Sequence, residues 1–161
     1  MEFKGIVPPA PKPMAVDYLG DNGHWEFPEQ MGDGIGFIYV IFDTVLNRGY
    51  IGKKLFRSLK GKNKGKESDW KRYKSSSKIL KEIFSVRPKT EFRFICIEQY
   101  KTKGGLSYAE TWSQCIAEVP TTQCWYNVLI GKVTWKVTEN VTDRHKERLG
   151  KYINLVKTYG E

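Results

Sequence analysis

Six consecutive residues, Phe37-Ile38-Tyr39-Val40-Ile41-Phe42, are β-branched or aromatic, and a second short run, Tyr50-Ile51-Gly52, follows the turn Asn47-Arg48-Gly49. Residues of this kind fit a pleated strand better than a helix. A Gly-containing turn between two such runs predicts a β-hairpin.

Other elements follow around that hairpin. Ser75-Ser76-Ser77 can cap a helix continuing through Phe84, with Ile79, Leu80, Ile83 and Phe84 on one apolar face. Residues Glu91 to Ile97 alternate partly and predict a third strand, broken by Gly104-Gly105. Ser107-Tyr108-Ala109-Glu110 has the S-x-x-E spacing of a capping box, which predicts a helix to about Val119. Trp125 to Val128 is a short extended piece. From Thr142 to Tyr159 a helix places Leu149, Ile153 and Val156 on one face, leaving Arg144, Lys146, Arg148 and Lys151 for the other.

The sum is an α+β fold, with a small mixed or antiparallel three-stranded sheet flanked by helices. Residues 1–34 contain Val7-Pro8-Pro9-Ala10-Pro11-Lys12-Pro13 and several glycines, so they read as an extended arm or coat rather than a packed element. Trp25 and Phe27 are available to anchor it. Residues 35–130 form the domain, and 131–161 form a C-terminal extension with a basic amphipathic helix.

Charge narrows the partner class. Lys and Arg number 27 against 18 Asp and Glu, a net charge of +9. Such an excess favours polyanions through counterion release. The loop Lys60-Gly61-Lys62-Asn63-Lys64-Gly65-Lys66 carries four lysines and no apolar residue, so it reads as solvated and mobile. The candidate nucleic-acid-binding residues, for DNA if the resemblance below holds, are Lys60, Lys62, Lys64, Lys66, Lys71, Lys78, Arg144, Lys146, Arg148 and Lys151. Three cysteines at irregular spacing, Cys96, Cys115 and Cys124, fit neither a disulfide framework nor a zinc site, and are expected as small buried residues in a reducing compartment. No apolar run approaches the roughly 18–20 residues of a membrane span, and no signal-peptide stretch is present. The expectation is a soluble cytoplasmic protein with no membrane partner.

Candidate chemistry rests on few groups. Tyr39 and Tyr50 lie on paired strands, Lys53 and Lys54 follow the second, and Glu110 begins a later helix. A carboxylate can hold a divalent ion that offsets charge on a scissile phosphate. A tyrosine can orient or deprotonate water, and an arginine or lysine can neutralise developing charge.

At these residues the sequence resembles the GIY-YIG nuclease superfamily, most of all its phage Seg-type homing endonucleases. Phe37-Ile38-Tyr39 and Tyr50-Ile51-Gly52 stand where the two name-giving triplets stand, with Phe37 in place of the first glycine. Trp70-x-x-Tyr73-x-Ser75-Ser76-Ser77-Lys78-x-Leu80, Ala109-Glu110 and Tyr126-Asn127 follow in the family's order, so the resemblance covers about residues 36 to 130. It implies a metal-dependent DNA endonuclease, homing-type or genome-degrading, using Mg²⁺ or Mn²⁺ and no small-molecule cofactor. By that resemblance Tyr39 and Tyr50 position or activate water and Glu110 binds the metal. Asn127 supports the site, and a helix arginine contacts the phosphate. Arg72, read as opening the helix, is favoured for that last role over Arg57; Lys53 or Lys54 adds phosphate stabilisation. One such site cuts one strand at a time, so clean double-strand breaks need a homodimer or two events. Two other readings remain: a catalytically silent DNA-binding relative, and a basic RNA- or partner-binding module. The RNA-binding form of the second would use exposed aromatics lining a sheet face as base platforms, but Phe92 and Phe94, the candidates for it, read as core strand residues.

Overall fold

A computed structural model describes residues 20–128, 130–131, 133 and 136–160. The Pro-rich stretch Val7 to Pro13 lies outside the described residues. Strands β1 (Gly36–Asp43), β2 (Arg48–Leu55) and β3 (Phe92–Tyr100) make one antiparallel sheet in the order β2-β1-β3. Helices α1 (Lys78–Val86), α2 (Lys103–Ile116) and α3 (Asp143–Tyr159) surround it. This is the α+β architecture expected, with the sheet antiparallel throughout.

The central strand is buried along its whole length, which explains its unbroken apolar run. Each face of the sheet carries its own core. Ile38, Val40, Phe42, Ile51, Ile95 and Ile97 pack with Leu106 and Ala109 of α2 and with Leu149, Ile153 and Val156 of α3. Phe37, Tyr39, Ile41, Phe94 and Cys96 face the other way, against Trp25, Phe27, Met31, Phe56, Trp70 and Leu80.

That second core corrects the reading of the N-terminal segment as a coat. Trp25, Phe27 and Met31 are all buried. Glu26 pairs alongside β3, its N–H donating to Phe94 O and its carbonyl accepting from Cys96 N. At the other edge, Tyr126 N donates to Gly49 O beside β2. Both sheet edges are therefore covered along part of their length, which removes exposed ladder groups. Proline and glycine composition could not show that the segment around Glu26 serves as a sheet edge.

Helix α2 starts earlier than the capping-box reading placed it. Thr102 is its N-cap, accepting from Gly105 N, and Gly104 and Gly105 lie in its first turn rather than breaking the chain. A Cβ at Gly105 would come within 2.2 Å of Glu139 Oε1, so the glycine admits that carboxylate, which accepts from the Lys101 and Thr102 amides. Ser107 is consequently internal and buried, and Glu110 has no capping duty. Ser77 caps α1, accepting from Leu80 N. Ile79, expected on the apolar face, is exposed. Phe92 and Phe94 are buried core residues and present no platform to bases. Of the cysteines only Cys96 is buried; Cys115 is exposed and Cys124 intermediate.

Two buried polar systems tie the layers together. Asp43, fully buried, accepts from Val45 and Leu46 amides at the hairpin turn, from Tyr126 Oη, and from both terminal nitrogens of Arg87 beyond α1. His145 of α3 lies between Tyr100 of β3 and Ser113 of α2. Ser113 Oγ donates its one proton to Ala109 O, so it accepts from the His145 Nε2–H, and Tyr100 Oη donates to Nδ1.

Burial pushes the His145 pKa down from 6.5 to about 4. The unfolded chain takes up that proton near 6.5, so between the two values it binds more protons than the native state. This contribution is therefore fully present above the unfolded value and is lost as pH falls from 6.5 toward 4. The expected slope is up to about 1.4 kcal/mol per pH unit for this group, with His24, also lowered to about 4 by burial, adding in the same direction. Urea titrations over this range should show the slope, and His145→Gln should flatten it by about half. An unchanged slope would contradict the assignment.

Candidate active site

The register of the hairpin creates the site. Tyr39 stands opposite Gly52, and Tyr50 opposite Ile41, so both tyrosines project from one face two residues apart on the diagonal. Their rings lie 6.2 Å apart and nearly parallel. A Cβ at Gly52 would sit 2.4 Å from Tyr39 Oη and 3.0 Å from Tyr50 Cε1. Only a residue without a side chain leaves room for both rings. A bulge in the β1–β3 pairing falls between Ile38 and Tyr39, a common means of re-aiming a side chain next to a site. Phe37, where the family motif has glycine, fills the core against Trp25, Phe56 and Trp70.

Strand β2 is an edge of the sheet, and Asn127 fixes it. Its Oδ1 accepts from Ile51 N at 2.9 Å and its Nδ2 donates to Ile51 O at 2.7 Å; Gln114 Nε2 donates to the same carbonyl. The residue between Tyr50 and Gly52 is thereby bracketed on both backbone groups. The same Gln114 accepts from Gly131 N, drawing that residue over Glu110.

Glu110 points out of α2 toward this cluster, with its side chain 14% exposed. Lys53 Nζ lies 3.6 Å from Glu110 Oε1 and donates to Ser107 Oγ. Burial raises the Glu110 pKa, and Lys53 opposes that shift. Burial likewise raises both tyrosines, Tyr39 well above its ordinary value, while the nearby Ser75 hydroxyl works against it. Among the described residues no three His, Cys, Asp or Glu side chains converge to cage a metal ion. Glu110 is a single, under-compensated carboxylate. That donor set fits an ion such as Mg²⁺, which keeps several waters and takes one or two carboxylates plus substrate phosphate oxygens.

Ser75 and Tyr73 are the residues that sequence reasoning missed. Ser75 is buried and sits at φ 79, the left-handed region that favours glycine. Its Oγ accepts from Ser77 N. Tyr73 packs edge-on against Tyr39 with centroids 6.1 Å apart, and Lys54 Nζ lies over its ring while also pairing with Asp69 at 2.8 Å. The N-terminal segment clamps this loop: His24 N donates to Lys71 O, His24 Nε2 to Tyr73 O and Trp25 Nε1 to Trp70 O. Nothing in composition reveals a serine at positive φ, although the serine run itself marked the place.

The arginine and lysine candidates separate. Arg72 does not open α1; it ends a single 3-10 turn, Trp70–Arg72, and is exposed beside Tyr73. Arg57 lies away from the tyrosines, its Nη1 donating to Gly65 O within the lysine loop. Lys60, Lys62, Lys64 and Lys66 are exposed on a turn closed by Ser58–Lys66 and Gly65–Ser58 backbone bonds. Lys71 pairs with Asp21, and Lys78 is exposed at the start of α1. Arg144 is engaged by Glu98 and Glu29, and Arg148 donates to Cys96 O and lies over Phe27. Lys146 and Lys151 remain exposed on α3.

Gly52→Ala should lower the unfolding free energy by about 1–3 kcal/mol through overpacking against Tyr39. Gly150→Ala, mid-helix in α3 with open space around it, should raise it by about 0.5–1 kcal/mol. Chemical denaturation of both variants checks the contrast. Equal effects would mean that the Tyr39–Gly52 contact imposes no constraint.

Comparison with known proteins agrees with this geometry. Residues 22–130 match the SegE_GIY-YIG family, described as "Putative endonuclease segE, GIY-YIG domain". No curated protein and no solved structure matches. The matched span reaches from the segment that clamps the 70–75 loop to just beyond the asparagine that brackets Ile51, and takes in the whole sheet and α2. The chain belongs to the GIY-YIG endonuclease-domain family, of the Seg type.

Proposed function

We propose that the chain is a divalent-metal-dependent DNA endonuclease that hydrolyses phosphodiester bonds at the Tyr39, Tyr50 and Glu110 cluster. The observation that carries this reading is the convergence of one under-compensated carboxylate, two stacked phenols and a lysine at the edge of β2. Mg²⁺ or Mn²⁺ bound at Glu110 would supply Lewis-acid neutralisation of the scissile phosphate. The chain's own residues do the rest. Tyr50, half-buried and so within reach of solvent, accepts a hydrogen bond from the attacking water and aims its lone pair at phosphorus. Tyr39, almost wholly buried, backs Tyr50 by stacking. Ser75, buried near both phenols, steadies their orientation. Lys53 favours the ionised form of Glu110 against the burial that raises its pKa, and adds positive charge near the phosphate. Arg72, beside Tyr73, contacts a phosphate oxygen from the opposite side.

Nicking of supercoiled plasmid in Mg²⁺ or Mn²⁺, beside an EDTA control, tests the reading. Glu110→Gln and Tyr50→Phe should each slow relaxation by about a hundredfold or more, with DNA binding retained. Ser75→Gly removes the positive-φ strain, so it should hold or raise stability while slowing nicking. A purely structural serine would show the first effect without the second. Binding without cleavage by the wild-type protein under all metal conditions would instead identify a silent DNA-binding relative. Relaxed circles appearing before linear product would indicate single-strand cuts by one site at a time.

A further inference from the structure

Arg72, Lys74 and Lys81 line an open cavity of about 570 Å³ on the α1 side of the site, with Tyr73, Ser75 and Phe84 in its walls. The cavity adjoins the proposed catalytic cluster, because Tyr73 in its wall packs edge-on against Tyr39. Its volume is comparable to that of pockets that accept small ligands.

The charge in this groove is uncompensated. Several cations elsewhere around the sheet have carboxylate partners: Lys53 with Glu110, Lys71 with Asp21, Arg87 with Asp43 and Glu91, Arg93 with Glu26, Arg144 with Glu98 and Glu29. Among the described residues, neither Arg72, Lys74 nor Lys81 forms such a pair, nor does Lys89 nearby. The one carboxylate in the groove, Asp69, pairs with Lys54 at 2.8 Å and also feels the Arg72 charge, which leaves Lys74 and Lys81 as the cations it does not offset. Lys74 and Lys89 crowd one another: burial and then the Lys74 charge push the Lys89 ammonium down. Their side chains rest over Phe84 and Phe94 rather than on an anion. The N-terminal end of α1 adds its partial positive charge, and no acidic side chain occupies its first turn. Like charges held together without a counter-charge destabilise the free protein, and a bound polyanion relieves that cost.

We infer that this groove is a second phosphate-binding site, which takes the backbone phosphate adjacent to the scissile one along the same DNA strand. The inference rests on the reading that the cleaved substrate is DNA, and it fixes the side of the tyrosines over which the strand leaves. Lys74 and Lys81 contact phosphate oxygens, and the site supplies affinity without reading sequence.

The test is binding, measured apart from cleavage. A short fluorescein-labelled DNA duplex is titrated in EDTA with the wild-type chain, with Lys74→Gln/Lys81→Gln, and with Lys101→Gln/Lys157→Gln as a charge-matched control. Thermal melts verify that all three fold. Loss of two phosphate contacts should weaken binding about tenfold at moderate salt and lower the slope of log affinity against log salt by about 2. The control should change neither by more than a general charge effect, about twofold. Wild-type affinity and slope in the groove variant would overturn the inference, as would equal losses in both variants. A wild-type chain that fails to nick plasmid yet loses binding in the groove variant alone would sink the nuclease reading and leave this site standing.

Discussion

At Gly52 the phenol of Tyr39 occupies space that any other residue's Cβ would need, and Tyr50 closes in from the same strand. This single close approach determines how far apart β1 and β2 can present their tyrosines. It also explains how a β-hairpin can hold two phenols side by side. Antiparallel pairing fixes the two side chains on one face, at a spacing set by register rather than by rotamer freedom. A one-residue slip would send one phenol into the α2–α3 core.

The hairpin is held from outside itself. Asn127 replaces a missing strand at Ile51, and Gln114 shares the same carbonyl. Asp43 gathers the hairpin turn, Arg87 and Tyr126 into one buried system whose donors come from segments far apart in sequence. Such networks stabilise only when every member is satisfied, and removing one partner leaves a buried charge exposed to its own desolvation cost. The site therefore inherits its rigidity from groups that never meet a substrate. Its less regular wall, the 70–75 loop, is held by the N-terminal segment, so that extended stretch belongs to the working domain.

Much of this order was readable from the chain. The hairpin, the third strand, the serine-capped helix and the apolar face of α3 each follow from periodicity and turn chemistry acting over a few residues. What escaped was set at longer range. The S-x-x-E spacing at Ser107 mimicked a helix start, yet Thr102 won because Gly105 admits Glu139 to the preceding turn. Arg144 and Arg148 looked outward by helical spacing, but Glu98 and Glu29, 46 and 115 residues away, turn Arg144 inward. Lys53 and Glu110 lie together beside β2, with Tyr39 and Tyr50 on its neighbouring face and Asn127 bound to Ile51. The strained Ser75 and the unpaired cations of the groove carry no local signature, because backbone dihedrals and absent partners are properties of the folded state.

The claim on which the rest turns is that Glu110 is the protein's metal-binding carboxylate and faces the phenols in the working complex. Locating Mn²⁺ by anomalous scattering in crystals of the protein with bound DNA measures it directly. The account predicts one manganese peak in direct contact with the Glu110 carboxylate, beside Tyr50 and shared with a DNA phosphate oxygen. Manganese bound to DNA at a position where Glu110 does not reach it would contradict that account.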